Sequence, residues 1–235
     1  MARTGSGTAR REGTIALAQV HSRAEGRART IRVYLPPGFH GAGARYPVLV
    51  MQDGQNLFER AHAGFGASWR VDESLDELVS SGEIRPWIVV GVDHGGVDRI
   101  GDFSPWPDPR LAFEPRAHRY ASFLVDDLTP WIDANLPTEG GADARALGGS
   151  SLGGLVSLYV AWLHPSVFGR IAAFSPSVMW SGERMFRQLA AKLPGEHRIW
   201  LDAGEHERFD AGSFRLDYGD AVRRFGEHLR ALGYG

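Results

Sequence analysis

Ser151 lies in the run Gly149-Ser150-Ser151-Leu152-Gly153, a serine with a glycine two residues away on either side. A serine hydroxyl is a weak nucleophile until its surroundings activate it. One way to present it is a sharp strand-to-helix bend. There the glycines leave room for crowded backbone, and the next amide points at any oxyanion that forms. With 30 glycines in 235 residues the spacing alone says little, and the weight comes from context. The short apolar run 144–147 precedes the serine, and the almost wholly apolar stretch 152–163 follows it. The plain alternative is a glycine-rich turn that merely starts a helix.

A second stretch could serve the same chemistry. Met51-Gln52-Asp53-Gly54-Gln55-Asn56 follows the apolar run 47–51. An Asp-Gly pair after a buried strand can open the backbone so that the Gln55 amide becomes a second oxyanion donor. The amide of Leu152 would be the first. The competing reading is an ordinary β-turn with Asp53 as a local cap.

These residues need a scaffold that brings distant turns together. Alternating segments at 15–21 and 30–35, ended by Pro36-Pro37-Gly38, predict an antiparallel pair. Continuous apolar runs at 47–51, 87–92, 144–147, 171–174 and 199–201 suit buried parallel strands. Helical spacing covers 71–79, 120–136, 152–163, 186–193 and 218–232. The alternation predicts an α/β fold, a mostly parallel sheet covered on both faces, in one domain over 13–235. The stretch 95–118 has no periodicity and contains Pro105, Pro107, Pro109 and Pro115. Its Phe103, Trp106, Leu111 and Phe113 are costly to leave in water, so it is expected as a pocket wall.

Composition narrows the function classes. A formal net charge of -2 leaves no basic footprint for nucleic acid. The absence of cysteine removes disulfides, thiol nucleophiles and cysteine metal sites. No histidine spacing suggests a metal site, and the chemistry needs no cofactor. No run reaches the ~20 apolar residues of a membrane span. A basic, disordered tail is expected over 1–12 and a cytoplasmic location for the chain; oligomeric state stays open.

With these residues in view, the chain resembles the putative esterase family of α/β-hydrolases, which includes enterobactin esterases, feruloyl esterases and esterase D-like enzymes. The blocks that carry the likeness are YPVLVMQDGQNLF at 46–58, VVGVD at 89–93 and GSSLGGL at 149–155. FSPS at 174–177 with Trp180, and LDAGEHE at 201–207, continue it in order. The resemblance implies a three-layer α/β-hydrolase sandwich with N-terminal antiparallel strands, here without the last strand and helix. It implies Ser151 as nucleophile, with the Gln55 and Leu152 amides as the oxyanion hole. It also implies Glu207, three residues after Gly204, as the acid that orients a histidine. By its own chemistry Glu207, among Glu205, His206 and Arg208, reads first as a solvated loop residue, and only its position favours the acid. Trp106 and Trp180 are candidate substrate-binding residues, and Trp180 could as well be core.

In the family the histidine follows the acid. His228 is the one histidine after Glu207, and its helical position predicts a solvated surface residue. His94, at the end of a central strand, is a candidate substitute base. Three functions remain: a serine hydrolase acting on small-molecule esters or thioesters, a non-enzymatic relative that binds a ligand or partner, and an acyltransferase using the same residues.

Overall fold

The computed structural model describes residues 12–39, 43–64, 66–193, 196–210, 212 and 215–234. Apart from Glu12, the expected basic tail lies outside the described residues, as does His40. Seven strands form one sheet: β1 (Thr14–Ser22), β2 (Arg27–Leu35), β3 (Val48–Gln52), β4 (Ile88–Val92), β5 (Arg145–Ser150), β6 (Arg170–Phe174) and β7 (Arg198–Asp202). Their order is β1-β2-β4-β3-β5-β6-β7. β1 pairs antiparallel with β2 and β2 with β4; every later pairing is parallel.

Strand alternation explains the layers. Val48, Val50, Ile88, Val90 and Val92 enter the main core, whereas Met51 and Val89 join a smaller cluster on the opposite face. That second face is covered by α1 (Val71–Ser80) through Val71 and Leu75. The main face is covered by α3 (Ala117–Ser122), a π-helical segment (Phe123–Leu128), α4 (Thr129–Asn135) and α5 (Leu152–Leu163). Two further helices, α6 (Trp180–Gln188) and α7 (Tyr218–Ala231), pack their Met185, Val222 and Phe225 into the same cluster. The fold is therefore the α/β sandwich that the sequence predicts. β7 is an edge strand with Trp200 exposed. An open groove of about 730 Å³ runs beside it, lined in part by Leu201, Asp220, Arg223 and Leu229.

Three local expectations change. The helix predicted over 186–193 is displaced toward the N-terminus: the element spans Trp180–Gln188, and Ser181, Gly182 and Glu183 are left-handed (φ 53, 65 and 59), so right-handed helix follows only after Glu183 and ends at Gln188. A small hairpin of β8 (Arg208–Asp210) and β9 (Arg215–Asp217) was not predicted; its strands are short and mostly exposed. The stretch 95–118 is not structureless, since it contains a 3₁₀ turn at Gly96–Asp98 and α2 (Arg99–Phe103).

What fixes that stretch is charge. Asp102 is wholly buried and accepts from Arg27 (2.5 Å), Arg29 (2.8 Å) and Arg116 (3.2 Å). Asp98 takes Arg27 and Arg116 at 2.7 and 2.8 Å, and Glu25 takes Arg29. The Arg29 guanidinium also lies over the Tyr120 ring, 4.6 Å from its centre. The cluster joins the β1–β2 hairpin to α2 and α3.

Acid sensitivity follows. Burial raises the Glu25 carboxyl, but Arg29 and Arg27 outweigh it and hold the group below its usual range. Arg116 and then Arg27 lower Asp98. Groups depressed in the folded state stabilise it above their unfolded pKa values, and that contribution is lost as pH falls through the folded ones. The melting temperature is therefore expected to hold steady from neutrality to about pH 5 and to fall below about pH 4. A thermal melt series checks this; a flat profile down to pH 3 would contradict it.

Candidate active site

β5 runs directly into α5, and Ser151 is the single residue between them, with φ 57 and ψ -122. That backbone conformation is costly for a residue with a side chain. Close packing enforces the bend. A Cβ on Gly149 would lie 2.8 Å from Gln52 Cγ and from the Gly153 carbonyl carbon. Two main-chain bonds lock the turn to the segment after β6: Ser151 N–H donates to the Phe174 carbonyl (3.0 Å), and Ser177 N–H donates to the Ser151 carbonyl (3.0 Å).

The Ser151 hydroxyl is partly buried and belongs to a triangle of hydroxyls. Its Oγ lies 3.1 Å from the Tyr218 phenol oxygen and 3.2 Å from Ser177 Oγ, and those two are 3.0 Å apart. Leu152 is the first residue of α5, so its amide has no helical acceptor. The second turn follows β3. Asp53, left-handed at φ 57 and ψ 46, opens a 3₁₀ turn over Gly54–Asn56. Its side chain makes no cap; both carboxylate oxygens instead take Arg99 at 2.6 and 2.7 Å. Gly54 lies against β4 so closely that a Cβ would stand 2.6 Å from the Gly91 carbonyl carbon. Among the described residues, neither the Gln55 amide nor the Leu152 amide has an acceptor in the chain. The two turns adjoin, since a Cβ on Gly153 would meet Gln52 Cβ at 3.1 Å and Asp53 Oδ2 at 3.3 Å.

Glu207 lies just beyond the end of β7. Its carboxylate accepts from the Ser175 hydroxyl (2.6 Å) and the Gly204 amide (3.1 Å), and its carbonyl accepts from the Tyr218 amide (2.9 Å). It is thus tied to the loop that holds Ser151, and no imidazole contacts it among the described residues. Nor does one contact the Ser151 hydroxyl. His94 has its main-chain amide on Gln55 Oε1 and its Nδ1 on the Gly96 amide. His228 is not the solvated residue expected: it is half-buried against Phe186 and Phe225, with Nε2 2.8 Å from the Leu189 carbonyl. The α7 face that spacing assigns to solvent is covered there by α6.

Trp106 and Trp180 are both over nine-tenths buried. Trp106 packs edge-on against Tyr159 at 5.7 Å, and Trp180 lies 6.1 Å from Phe113. Ser181 ties the two together, its amide on Asp108 and its hydroxyl on the Trp106 carbonyl. Both tryptophans belong to the main core cluster, as does Phe103. Trp69 is a more exposed aromatic. Trp69 bonds through its amide to the Asn56 carbonyl and packs edge-on against Phe174 at 5.6 Å, so it neighbours both turns. Ser177 and Tyr218 also stand beside the Ser151 hydroxyl. Ser177 stood in the FSPS block, but nothing in the sequence pointed Tyr218 at Ser151. Among the described residues no cluster of histidine and acidic side chains could hold a metal ion, and no helix is long and apolar enough to cross a membrane.

Comparison with known proteins agrees with this architecture. The YbbA protein of Bacillus subtilis (strain 168) is 23% identical over 211 residues, covering 88% of this chain and 80% of its own. An IroE-like serine hydrolase from Shewanella oneidensis superposes with a TM-score of 0.72 at 19% identity, over 94% of this chain and 70% of that one. A ferulic acid esterase from Anaeromyces mucronatus, solved with ferulic acid, gives 0.70 at 18% identity, over 99% and 84%. At such identities the likeness carries the fold, which is that of the α/β-hydrolases. The model of the family described as "Putative esterase" matches residues 22–224, most of the chain, and the protein belongs to that family.

Proposed function

We propose that the protein is a serine carboxylic ester hydrolase that works through an acyl-enzyme. Membership of an esterase family supports ester cleavage as its chemistry. The observation that carries the finer reading is the strained bend at Ser151, flanked by two amides without acceptors. Ser151 Oγ attacks the ester carbonyl carbon, and the Leu152 and Gln55 amides receive the negative charge on the carbonyl oxygen. Water then releases the acid. Glu207 supplies the negative charge at the end of β7 and holds the Ser175 loop against the serine turn. Aromatic acyl groups are first candidates for the substrate panel, because Trp69 and Phe174 offer an aromatic surface beside both turns, and one relative is named for ferulic acid.

A second reading, a binding relative without turnover, draws on one observation: no imidazole touches Ser151 among the described residues. A fluorophosphonate probe separates the two. The expected result is one adduct by intact mass, located at Ser151 and absent in Ser151→Ala, together with hydrolysis of p-nitrophenyl acetate and a feruloyl ester. A chain that takes no adduct and cleaves neither ester would remove the hydrolase reading.

A further inference from the structure

The geometry points to β7 as a self-association edge: two copies of this chain pair their β7 strands antiparallel about a two-fold axis at Trp200. β7 ends the sheet, and among the described residues no main-chain group bonds to its outer side. The directions of its own groups are fixed by its inner neighbours. Arg198 N–H donates to the Gly169 carbonyl (2.9 Å), and the Asp202 carbonyl accepts from the Ser175 amide (2.8 Å). In an extended strand the N–H and C=O of one residue point to the same side, and the side alternates along the chain. Ile199 and Leu201 therefore turn their N–H and C=O groups to the open edge. Sheet edges commonly carry a proline or a bulge that blocks such pairing. The run Arg198-Ile199-Trp200-Leu201-Asp202 has no proline and pairs with β6 in unbroken register, and it leaves Trp200 65% exposed.

Charge selects the partner and the direction. Arg198, Trp200 and Asp202 share the exposed face of the strand, and Trp200 Nε1 lies 3.4 Å from Asp202 Oδ2. Neither Arg198 nor Asp202 forms an ion pair among the described residues. A two-fold axis at Trp200 sets Arg198 against the partner's Asp202, and Asp202 against the partner's Arg198. A parallel copy in register would set like charges together, which is destabilising. In the antiparallel arrangement Ile199 exchanges both main-chain bonds with the partner's Leu201, and Leu201 does so with the partner's Ile199. Trp200 meets the partner's Trp200 in a non-hydrogen-bonded pair, where side chains approach most closely. Aromatic pairs and opposite charges are the cross-strand contacts that stabilise a sheet.

The other face of the strand suits the same partner. Ile199 and Leu201 are half-buried and pack against the main core. Leu201 lies close to α7, where a Cβ on Gly226 would meet its Cδ2 at 3.6 Å. The open groove beside β7 continues that surface, with Val222, Leu229 and Tyr234 in its lining. Opposed residues of an antiparallel pair share a face, so the partner's Ile199 and Leu201 come to lie over this groove. The contact uses the same strand on both copies and closes at the dimer.

Two measurements on the full chain test this. In sedimentation equilibrium the parent is expected as a reversible monomer–dimer mixture. R198D opposes like charges at both ends of the pairing and is expected to weaken dimerisation about tenfold or more. The double variant R198D/D202R restores opposite charges across the two-fold and is expected to return to within about threefold of the parent. The second measurement is oxidative cross-linking, which is unambiguous because the chain has no cysteine of its own. W200C opposes its own copy in a non-hydrogen-bonded pair, where Cα atoms stand about 4.5 Å apart, within disulfide reach. It is expected to give a disulfide-linked dimer. L17C, at a position equally exposed (65%) on the β1 edge, is expected to stay monomeric. A parent that is monomeric up to about 100 µM overturns the proposal. So does a dimer that R198D leaves unchanged, a double variant as weak as R198D, or W200C linking no faster than L17C. Cover of β7 by a different protein or by another segment of the same chain would give these results and is counted against it. If a charge variant fails to fold by circular dichroism, the cross-linking pair decides alone.

Discussion

Ser151→Gly is expected to melt above the parent while losing nearly all ester turnover. Position 151 sits at φ 57 and ψ -122, a region that glycine enters freely and other residues enter at a cost of about 1–3 kcal/mol. Glycine gives back about 0.5–1 kcal/mol through the greater freedom of the unfolded chain. The net gain is about 1 kcal/mol, which in a domain of this size raises the melting temperature by roughly 2–4 °C. Deleting the hydroxyl leaves no orphan behind, because Ser177 and Tyr218 already bond each other at 3.0 Å. Turnover should fall by about 10³-fold or more, since the two amides alone bind an oxyanion but provide no nucleophile. Thermal melts and p-nitrophenyl acetate kinetics on one preparation check both halves. A lower melting temperature with activity retained would mean that the bend stores no strain and that the hydroxyl is incidental. A gain in stability paired with lost turnover is the mark of strain kept for function.

The sequence made the elbow legible because its cause is local. An apolar strand, tight glycine flanks and an apolar helix adjoin one another, and the helix predicted over 152–163 appears with those bounds. The parallel strands were legible for a similar reason, as runs apolar on both faces; β4 is buried at every position. The Gly54 turn was half legible. Asp-Gly announced a change of direction, but the carboxylate goes to Arg99, 46 residues away, and not to a cap. Contacts of that kind carry no periodic signal. The ion cluster that orders 95–118 joins residues 71 and 75 positions apart, so its prolines and missing periodicity read as a loop. Tyr218 escaped for the same reason: its partner lies 67 residues back in the chain. His228 was misread because helical spacing identifies a polar face but not the α6 segment that covers it.

Asp102→Ala is expected to cost the fold about 3–5 kcal/mol, the usual range for removing one partner of a buried ion pair. The loss comes mainly from Arg29. Arg27 and Arg116 keep Asp98 as a partner and are partly open to water, whereas the Arg29 side chain is 2% exposed. One of its nitrogens, Nη1, already has no partner, and without Asp102 its charge is balanced by Glu25 alone. A buried guanidinium with too few acceptors is destabilising because desolvation is no longer offset. Denaturant unfolding should show a loss of several kcal/mol for Asp102→Ala. Asp98→Ala is the contrast: that side chain is 39% exposed, and removing a solvated partner costs under about 1 kcal/mol. Equal effects from the two substitutions would refute the ranking by burial. The damage should also reach the chemistry. Asp102 anchors α2, whose first residue is Arg99, and Arg99 holds the Asp53 carboxylate at the turn that presents the Gln55 amide. If that amide receives the oxyanion, then Asp102→Ala lowers kcat even where the chain stays folded. KM should change less, because the donor acts on charge that develops in the transition state and hardly on the ground-state ester.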